Sequence, residues 1–282
     1  MDRELLIQEF DYRIAWRSRE PRPGSHRSLT SGGGFEFRGY APLVSADDVR
    51  NYDIGATLRD PFRRPQARVV RQRSAITVYG VADLSASMAF GAKLRSLATF
   101  VASLAYSVYR THDLFGFVGC DTEVREEFLT PPGRAKSVVP ELGARLIEFA
   151  PRGRNAEGLG DAHRFLKRRR SLVFLVSDFL FSRELLTDVL RSLSHHDVVP
   201  VVIRDSSEFS EVPKFGIARL RDLETATERY LFVASRLRRR IRNDLERREA
   251  ELGAVFEAHD TRPFYLVDEF DPEKIAEHFL AG

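Results

Sequence analysis

The amino-acid sequence predicts an α/β fold: a doubly wound, mostly parallel sheet with helices on both faces. Three observations predict it. From residue 74 onward, short strand-like runs alternate with longer amphipathic segments, the pattern of right-handed strand–helix–strand crossovers. Two of these runs, VYGVAD and SLVFLVSD, finish in an aspartate, and the open ends of parallel strands are where doubly wound folds hold ligands. A third run is followed closely by a possible hairpin partner, which supplies one antiparallel edge strand.

In chain order, residues 1–73 stand apart. Leu5 to Trp16 fits a short helix, and the stretch EPRPGSHRSLTSGGGFEFRGY follows with no sustained period. Gly32-Gly33-Gly34 reads as a hinge or tight turn. It is not a phosphate loop, because no Gly-Lys-Ser/Thr follows. The charged run through Asp47, Asp48, Arg50, Asp53 and Arg59 reads first as a lattice of internal ion pairs. Expected strands are Ala75–Ala82, Asp113–Cys120, Leu172–Ser177, Val198–Ile203 and Arg262–Val267, with Glu123–Leu129 as the hairpin partner and Ile217–Asp222 as a further short strand. Expected helices are Ala92–Arg110, Arg134–Glu148, Asp161–Arg169 and Arg183–His195. The last of these carries Leu185, Leu186, Val189, Leu190 and Leu193 at helical spacing. Glu228 to Glu257 reads as one long helix with an apolar stripe. Asp271 and Pro272 start the final helix as N-cap and first-turn residue. The division is then 1–73, an N-terminal segment; 74–206, the α/β domain; and 207–282, a helical extension with an added strand.

Composition narrows the function classes. A chain of 282 residues with 43% hydrophobic and 30% charged residues can bury a substantial core. The single cysteine, Cys120, excludes internal disulfides and suggests a reducing, cytoplasmic setting. It follows an apolar run, so a buried thiol is expected rather than a nucleophile. No N-terminal signal is visible, and the longest apolar stretch, Leu97 to Val108, is too short to span a bilayer. The net charge is only +3. The basic clusters at Lys167–Arg170 and Arg236–Arg240 have acidic residues interleaved and no aromatic platform, so solvated helix faces are preferred to a nucleic-acid footprint. His195-His196 is expected to close a helix, where a cationic imidazole would suit the dipole.

The chemistry concentrates at Asp83, Ser85 and Ser87. A strand ending in Asp-x-Ser-x-Ser places one carboxylate and two hydroxyls on one loop. These are hard oxygen donors of the kind that hold Mg²⁺. One loop cannot enclose an ion, so further ligands are expected from neighbouring loops, with Asp178 the best second carboxylate. The competing role for Asp178 is the N-cap of the next helix.

VADLSAS, the helix after it and VFLVSD together resemble a von Willebrand factor A-like domain with its metal-ion-dependent adhesion site (MIDAS). The resemblance implies that Asp83, Ser85, Ser87 and Asp178 ligate a divalent cation, Mg²⁺ first, with Ca²⁺ or Mn²⁺ as alternatives. The family's usual threonine is missing, and Glu157 falls near its place. Two alternatives stand: Glu157 ligates directly and closes the site, or the site binds metal poorly. A second resemblance covers nearly the whole chain. GSHRS, Glu36-Phe37, Asp47-Asp48, Arg50, Asp53 and Arg59, with VIRD and LRDLET downstream, are similar to a bacterial family of unknown function often encoded beside MoxR-type AAA+ ATPases. Ala41, Leu43, Ala46 and Ile54 depart from that family's usual residues. This resemblance implies an AAA+ ATPase partner and an accessory, chaperone-like role; the compact form with these departures looks most like an accessory protein of the bacterial methanol-oxidation cluster, which implies methanol dehydrogenase as client.

Three functional readings follow. The first is a non-enzymatic binding module whose metal is completed by a partner's carboxylate. The second is a degenerate site that serves as a scaffold without metal. The third is a metal-dependent hydrolase, disfavoured because the seven histidines are scattered and no nucleophile–base pair can be argued. Glu36, Asp47, Asp48, Arg50, Asp53 and Arg59 are the candidate second interaction surface.

Overall fold

The computed structural model describes residues 5–18, 23–45, 49–134, 138–151, 153–207, 216–221, 228–233 and 235–281. It divides into two units, one of Arg13–Ile76 with Arg110–Asp113 and one of Met1–Tyr12, Thr77–Tyr109 and Leu114–Gly282.

The first unit is a hairpin-like arm. Strand β1 (Pro23–Pro42) runs antiparallel to β2 (Gln66–Ser74). The strands differ in length, and register shifts absorb the excess, one of them between Ser31 and Glu36. Gly32-Gly33-Gly34 therefore lies within β1 at an irregularity of the ladder. Helix α1 (Ile54–Arg59) sits between the strands in sequence, capped by Asp53, whose Oδ1 accepts from Ala56 N–H at 2.8 Å. Asp113 is fully buried and gathers its own unit: it accepts from the Ile76 N–H and the Thr111 hydroxyl, and its Oδ2 lies 2.8 Å from His26 Nε2.

The second unit carries the sheet. Its elements are β3 (Thr77–Asp83), α2 (Lys93–Arg110, whose last residue falls in the first unit), β4 (Leu114–Cys120), β5 (Val124–Gly133), α3 (Val138–Glu148), β6 (Leu172–Ser177), α4 (Arg183–Ser192) and β7 (Asp197–Arg204). They continue with β8 (Gly216–Arg221), β9 (Glu228–Val233), α5 (Ser235–Ala258), β10 (Phe264–Val267) and α6 (Pro272–Leu280). The six-stranded sheet has the order β10-β7-β6-β3-β4-β5, parallel except for the β4–β5 edge pair. This is the doubly wound fold that the alternation predicts, with the strand order reversing between β3 and β6. Strands β3, β4 and β6 are buried along their whole length, as parallel strands covered on both faces must be.

The two faces follow from the period of two along each strand. Val81, Val173, Leu175 and Val202 face a cluster with Leu159, Phe179, Leu186, Val189, Val255 and Phe256. Phe174 faces the other way, edge-on to Phe10 and Phe100, and Phe270 packs against both of these. Asp271 caps α6 by accepting from Glu273 N–H, with Pro272 at its first turn, as the sequence predicts.

Five expectations need correction. Leu5–Trp16 is not a helix among its described residues. The N–H groups of Gln8 and Phe10 donate to the hydroxyls of Ser103 and Ser107, one turn apart on α2. Alternate side chains Phe10 and Tyr12 are buried, which is an extended segment's pattern. Glu228–Glu257 is not one helix, because Glu228–Val233 pairs antiparallel with β8. Tyr230, Phe232 and Val233 are strand-forming residue types that a helical stripe also accommodates. Asp161–Arg169 is replaced by a 3₁₀ helix over Glu157–Phe165. The α/β unit does not stop at residue 206, since β10 is its sixth strand, paired in parallel with β7. His196 is not a cationic helix end. Burial, and secondarily His195, pushes its imidazole down to about 4, so it is neutral at pH 7.

Candidate functional site at the carboxyl edge of the sheet

The neighbouring strands β3 and β6 end side by side at the reversal of strand order, which brings Asp83 next to Ser177 and Asp178. Asp83 is buried at the tip of β3. Its Oδ1 accepts from Ser85 N–H at 2.9 Å, and its Oδ2 accepts from the Ser177 hydroxyl at 2.7 Å. The Ser85 and Ser87 hydroxyls lie 3.1 Å apart. Ala86 N–H donates to Gly153 O, so the 153–158 loop borders the Asp83 loop. Asp83, Ser85, Ser87 and Asp178 are thus brought to one edge as the sequence predicts. Burial, and then the charge of Asp178, pushes the Asp83 carboxyl up to about 6.

Asp178 is not the N-cap of α4. That role belongs to Ser182, whose hydroxyl accepts from Leu185 N–H. The Asp178 carboxylate turns inward instead. Oδ1 accepts from Leu180 N–H at 3.1 Å, and Oδ2 receives the Lys93 ammonium at 2.8 Å. Both side chains of this ion pair are essentially sequestered from solvent, at 1% and 0% exposure. The Asp178 carbonyl accepts from the Arg204 guanidinium, and Arg248 of α5 donates to the carbonyls of Phe179 and Phe181. The loop after β6 is therefore held from three elements.

Lys93 reaches this position because of how α2 begins. Gly91 adopts a φ of +55°, and a Cβ there would lie 2.0 Å from Asp205 Oδ2. That oxygen accepts from Ala92 N–H at 2.6 Å, capping the helix from the end of β7. The next residue, Lys93, then directs its side chain at Asp178. The sequence reading missed Lys93, Ser177, Arg204 and Asp205. The one local signal for Lys93 was a lysine in the first turn of a long apolar helix, where the macrodipole disfavours a cation.

Glu157 is exposed at the start of the 3₁₀ helix, with its N–H directed at Asn155 Oδ1. It does not share the burial of Asp83, Ser85 and Asp178. Of the candidate second surface, Asp47 and Asp48 lie outside the described residues. Glu36 stands opposite Arg71 in the β1–β2 register. Arg50 and Arg59 are exposed. Asp53 is buried, caps α1 and meets Arg68 Nε at 2.5 Å, and the Ala56 N–H and this guanidinium hold its carboxyl below the usual range. Its role is internal, in keeping with the ion-pair reading of this run. Cys120 is buried with its thiol pushed up by desolvation, so it remains protonated and unreactive.

The hard oxygens of Asp83, Ser85, Ser87 and Asp178 suit a divalent ion in kind. As the four stand, one of them is already taken. The Asp178 oxygen already carries an ammonium, and Glu157 stands in solvent. Among the described residues no group of three or more His, Cys, Asp or Glu is gathered to hold a metal.

Fold and edge together define a doubly wound α/β protein with a buried polar centre at its switch point. The chain matches the family described as "Protein of unknown function DUF58" over residues 36–254, and it belongs to that family. It is 34% identical over 101 residues to the "Uncharacterized protein in moxR 3'region" of Paracoccus denitrificans, covering 36% of this chain and 96% of that protein. Among solved structures, it is similar to the conserved hypothetical protein BatB of Bacteroides thetaiotaomicron (10% identity, TM-score 0.48, 73% of this chain and 98% of that one). It is also similar to a von Willebrand factor type A protein of Catenulispora acidiphila (15% identity, TM-score 0.42, 75% of this chain and 42% of that one). No helix among the described residues is long and apolar enough to cross a membrane.

Proposed function

We propose that this chain is a non-catalytic interaction module that acts as an accessory factor to a MoxR-type AAA+ ATPase, with its binding centre at the sheet edge around Asp83 and Asp178. The observation that carries the reading is the construction of that edge. Two buried carboxylates and two hydroxyls are fixed at the switch point of a rigid sheet, while the one thiol is buried and protonated. The described histidines that make ring hydrogen bonds direct them at carbonyls or a carboxylate: His163 at Gly160, His259 at Val255 and His26 at Asp113. We read such an edge as one that recognises and positions a partner. The ATPase is proposed from the family resemblance and from the relative located in a moxR 3' region. A finer proposal rests on the resemblance alone: a role like that of MxaS of the methanol-oxidation cluster, with methanol dehydrogenase as client. The exposed apolar and basic positions of residues 50–64 form a proposed second surface for the same ATPase.

A metal-dependent version of the module keeps Asp83, Ser85, Ser87 and Asp178 as ligands of Mg²⁺. Their hard oxygen chemistry favours it, but it requires Lys93 to leave Asp178. The experiment is capture of the tagged protein from its native cells, with and without EDTA and alongside Asp83→Ala, with partners identified by mass spectrometry. An AAA+ ATPase enriched by wild type in EDTA and lost with a folded Asp83→Ala is the expected result. Absence of any AAA+ ATPase from the wild-type capture would sink the reading.

A further inference from the structure

Two carboxylates buried side by side are not stable as they stand. Moving an ion out of water is strongly unfavourable even after relaxation, and like charges at short range disfavour joint ionisation. Such a pair needs a positive partner inside the same site. Here the partner is part of the chain. Lys93 Nζ lies 2.8 Å from Asp178 Oδ2 with both side chains removed from solvent.

The surroundings are built for this placement. Lysine at the first residue of α2 opposes the helix dipole. Gly91, with its positive φ, and the Asp205 cap fix where α2 begins, and the position next to the capped Ala92 is Lys93. Ser177 and Ser85 satisfy the other carboxylate with neutral donors, a hydroxyl and a peptide N–H. An ammonium is a compact point charge with three donors. A divalent ion bound through Asp178 would have to approach that charge within a few ångströms, or expel it.

We infer that the Lys93 ammonium is the resident cation of the Asp83–Asp178 centre, standing where a divalent ion would otherwise be needed, so that the centre is assembled without metal. This deepens the interaction-module reading, because it assumes the same edge is the binding centre. Its test measures metal binding by the isolated chain and does not depend on any partner.

The probe is Mn²⁺ alone, followed by loss of the free-ion electron paramagnetic resonance signal and by thermal unfolding with and without EDTA. Wild type is expected to show no stoichiometric Mn²⁺ uptake and the same Tm in both conditions. Lys93→Ala opens the oxygen set and is expected to bind one Mn²⁺ per chain at least about tenfold more tightly than wild type, since carboxylate and hydroxyl oxygens suit this ion. Adding Asp83→Asn to that variant is expected to abolish the gain. Asp83-dependent Mn²⁺ binding by wild type would overturn the inference, as would a folded Lys93→Ala that gains none. If Lys93→Ala does not fold, the wild-type titration and its Tm decide alone, with uptake and a raised Tm counting against the inference. Failure to capture an ATPase would remove the adaptor reading and leave these titrations intact.

Discussion

Lys93 and Asp178 show at the scale of single residues why a buried ion pair is costly to break and cheap to replace. Removing one member leaves the other charged and buried, which costs about 3–5 kcal/mol. Lys93→Met and Asp178→Asn are each expected to lower unfolding stability by that order. The double variant is expected to be destabilised by clearly less than the sum, and urea denaturation of all four proteins measures the difference. Additive losses would mean that the two side chains do not hold each other. His196 supplies the pH dependence. Its pKa falls from 6.5 to about 4 on folding, so the unfolded chain binds more protons between those values. Its contribution to stability is complete above pH 6.5 and is lost as pH falls toward 4. His196→Phe is expected to flatten the Tm profile across that window, and an unchanged slope would assign the acid sensitivity elsewhere.

Elements are set here by their ends. Helix α2 starts where it does because Gly91 can hold φ +55° and because Asp205, just past the end of β7, caps Ala92. Gly91→Ala meets both a strained backbone and a carboxylate 2.0 Å from the new Cβ. It is expected to cost about 1–3 kcal/mol for the backbone alone. Asp205→Ala loses the cap, for about 1 kcal/mol. The two should be less than additive, because both act through one contact, and equilibrium denaturation reads this directly. The same dependence on ends explains the expectations that failed. The stripe through residues 228–257 fits a helix, but Glu228–Val233 has a strand to pair with and the helix begins only at Ser235. The Leu5–Trp16 segment lost its helix to two serine hydroxyls on α2, nearly a hundred residues away in sequence.

At the scale of the molecule, what repeats along the chain was legible and what meets across it was not. Alternation of strand-like and helix-like runs predicts the doubly wound sheet, and runs ending in Asp83 and Asp178 place these two carboxylates at one sheet edge, because both are properties of neighbouring residues. Lys93 was not legible as a site residue, since its partner is 85 positions away and a lone lysine at a helix start has no spacing to betray it. Glu157 comes near the site only through the family resemblance, as a direct ligand or as the mark of a poor site, and the fold leaves it in solvent. The arm holds the last case. Its charged run holds one buried member, Asp53, which caps α1 and meets the exposed Arg68, and two exposed ones, Arg50 and Arg59. Beside these, Ile54, Leu58 and Phe62 are 65%, 70% and 75% exposed, four residues apart, and Arg64 lies over the Phe62 ring at 5.0 Å. Large side chains so exposed gain nothing for the fold, so replacing all three with serine is expected to change stability by no more than about 0.5 kcal/mol per site. If the arm is the second surface for the ATPase, the triple variant will capture less of it at unchanged Tm, because apolar anchors rimmed by arginine carry a disproportionate share of interface energy. Undiminished capture would confine the contact to the carboxyl edge of the sheet.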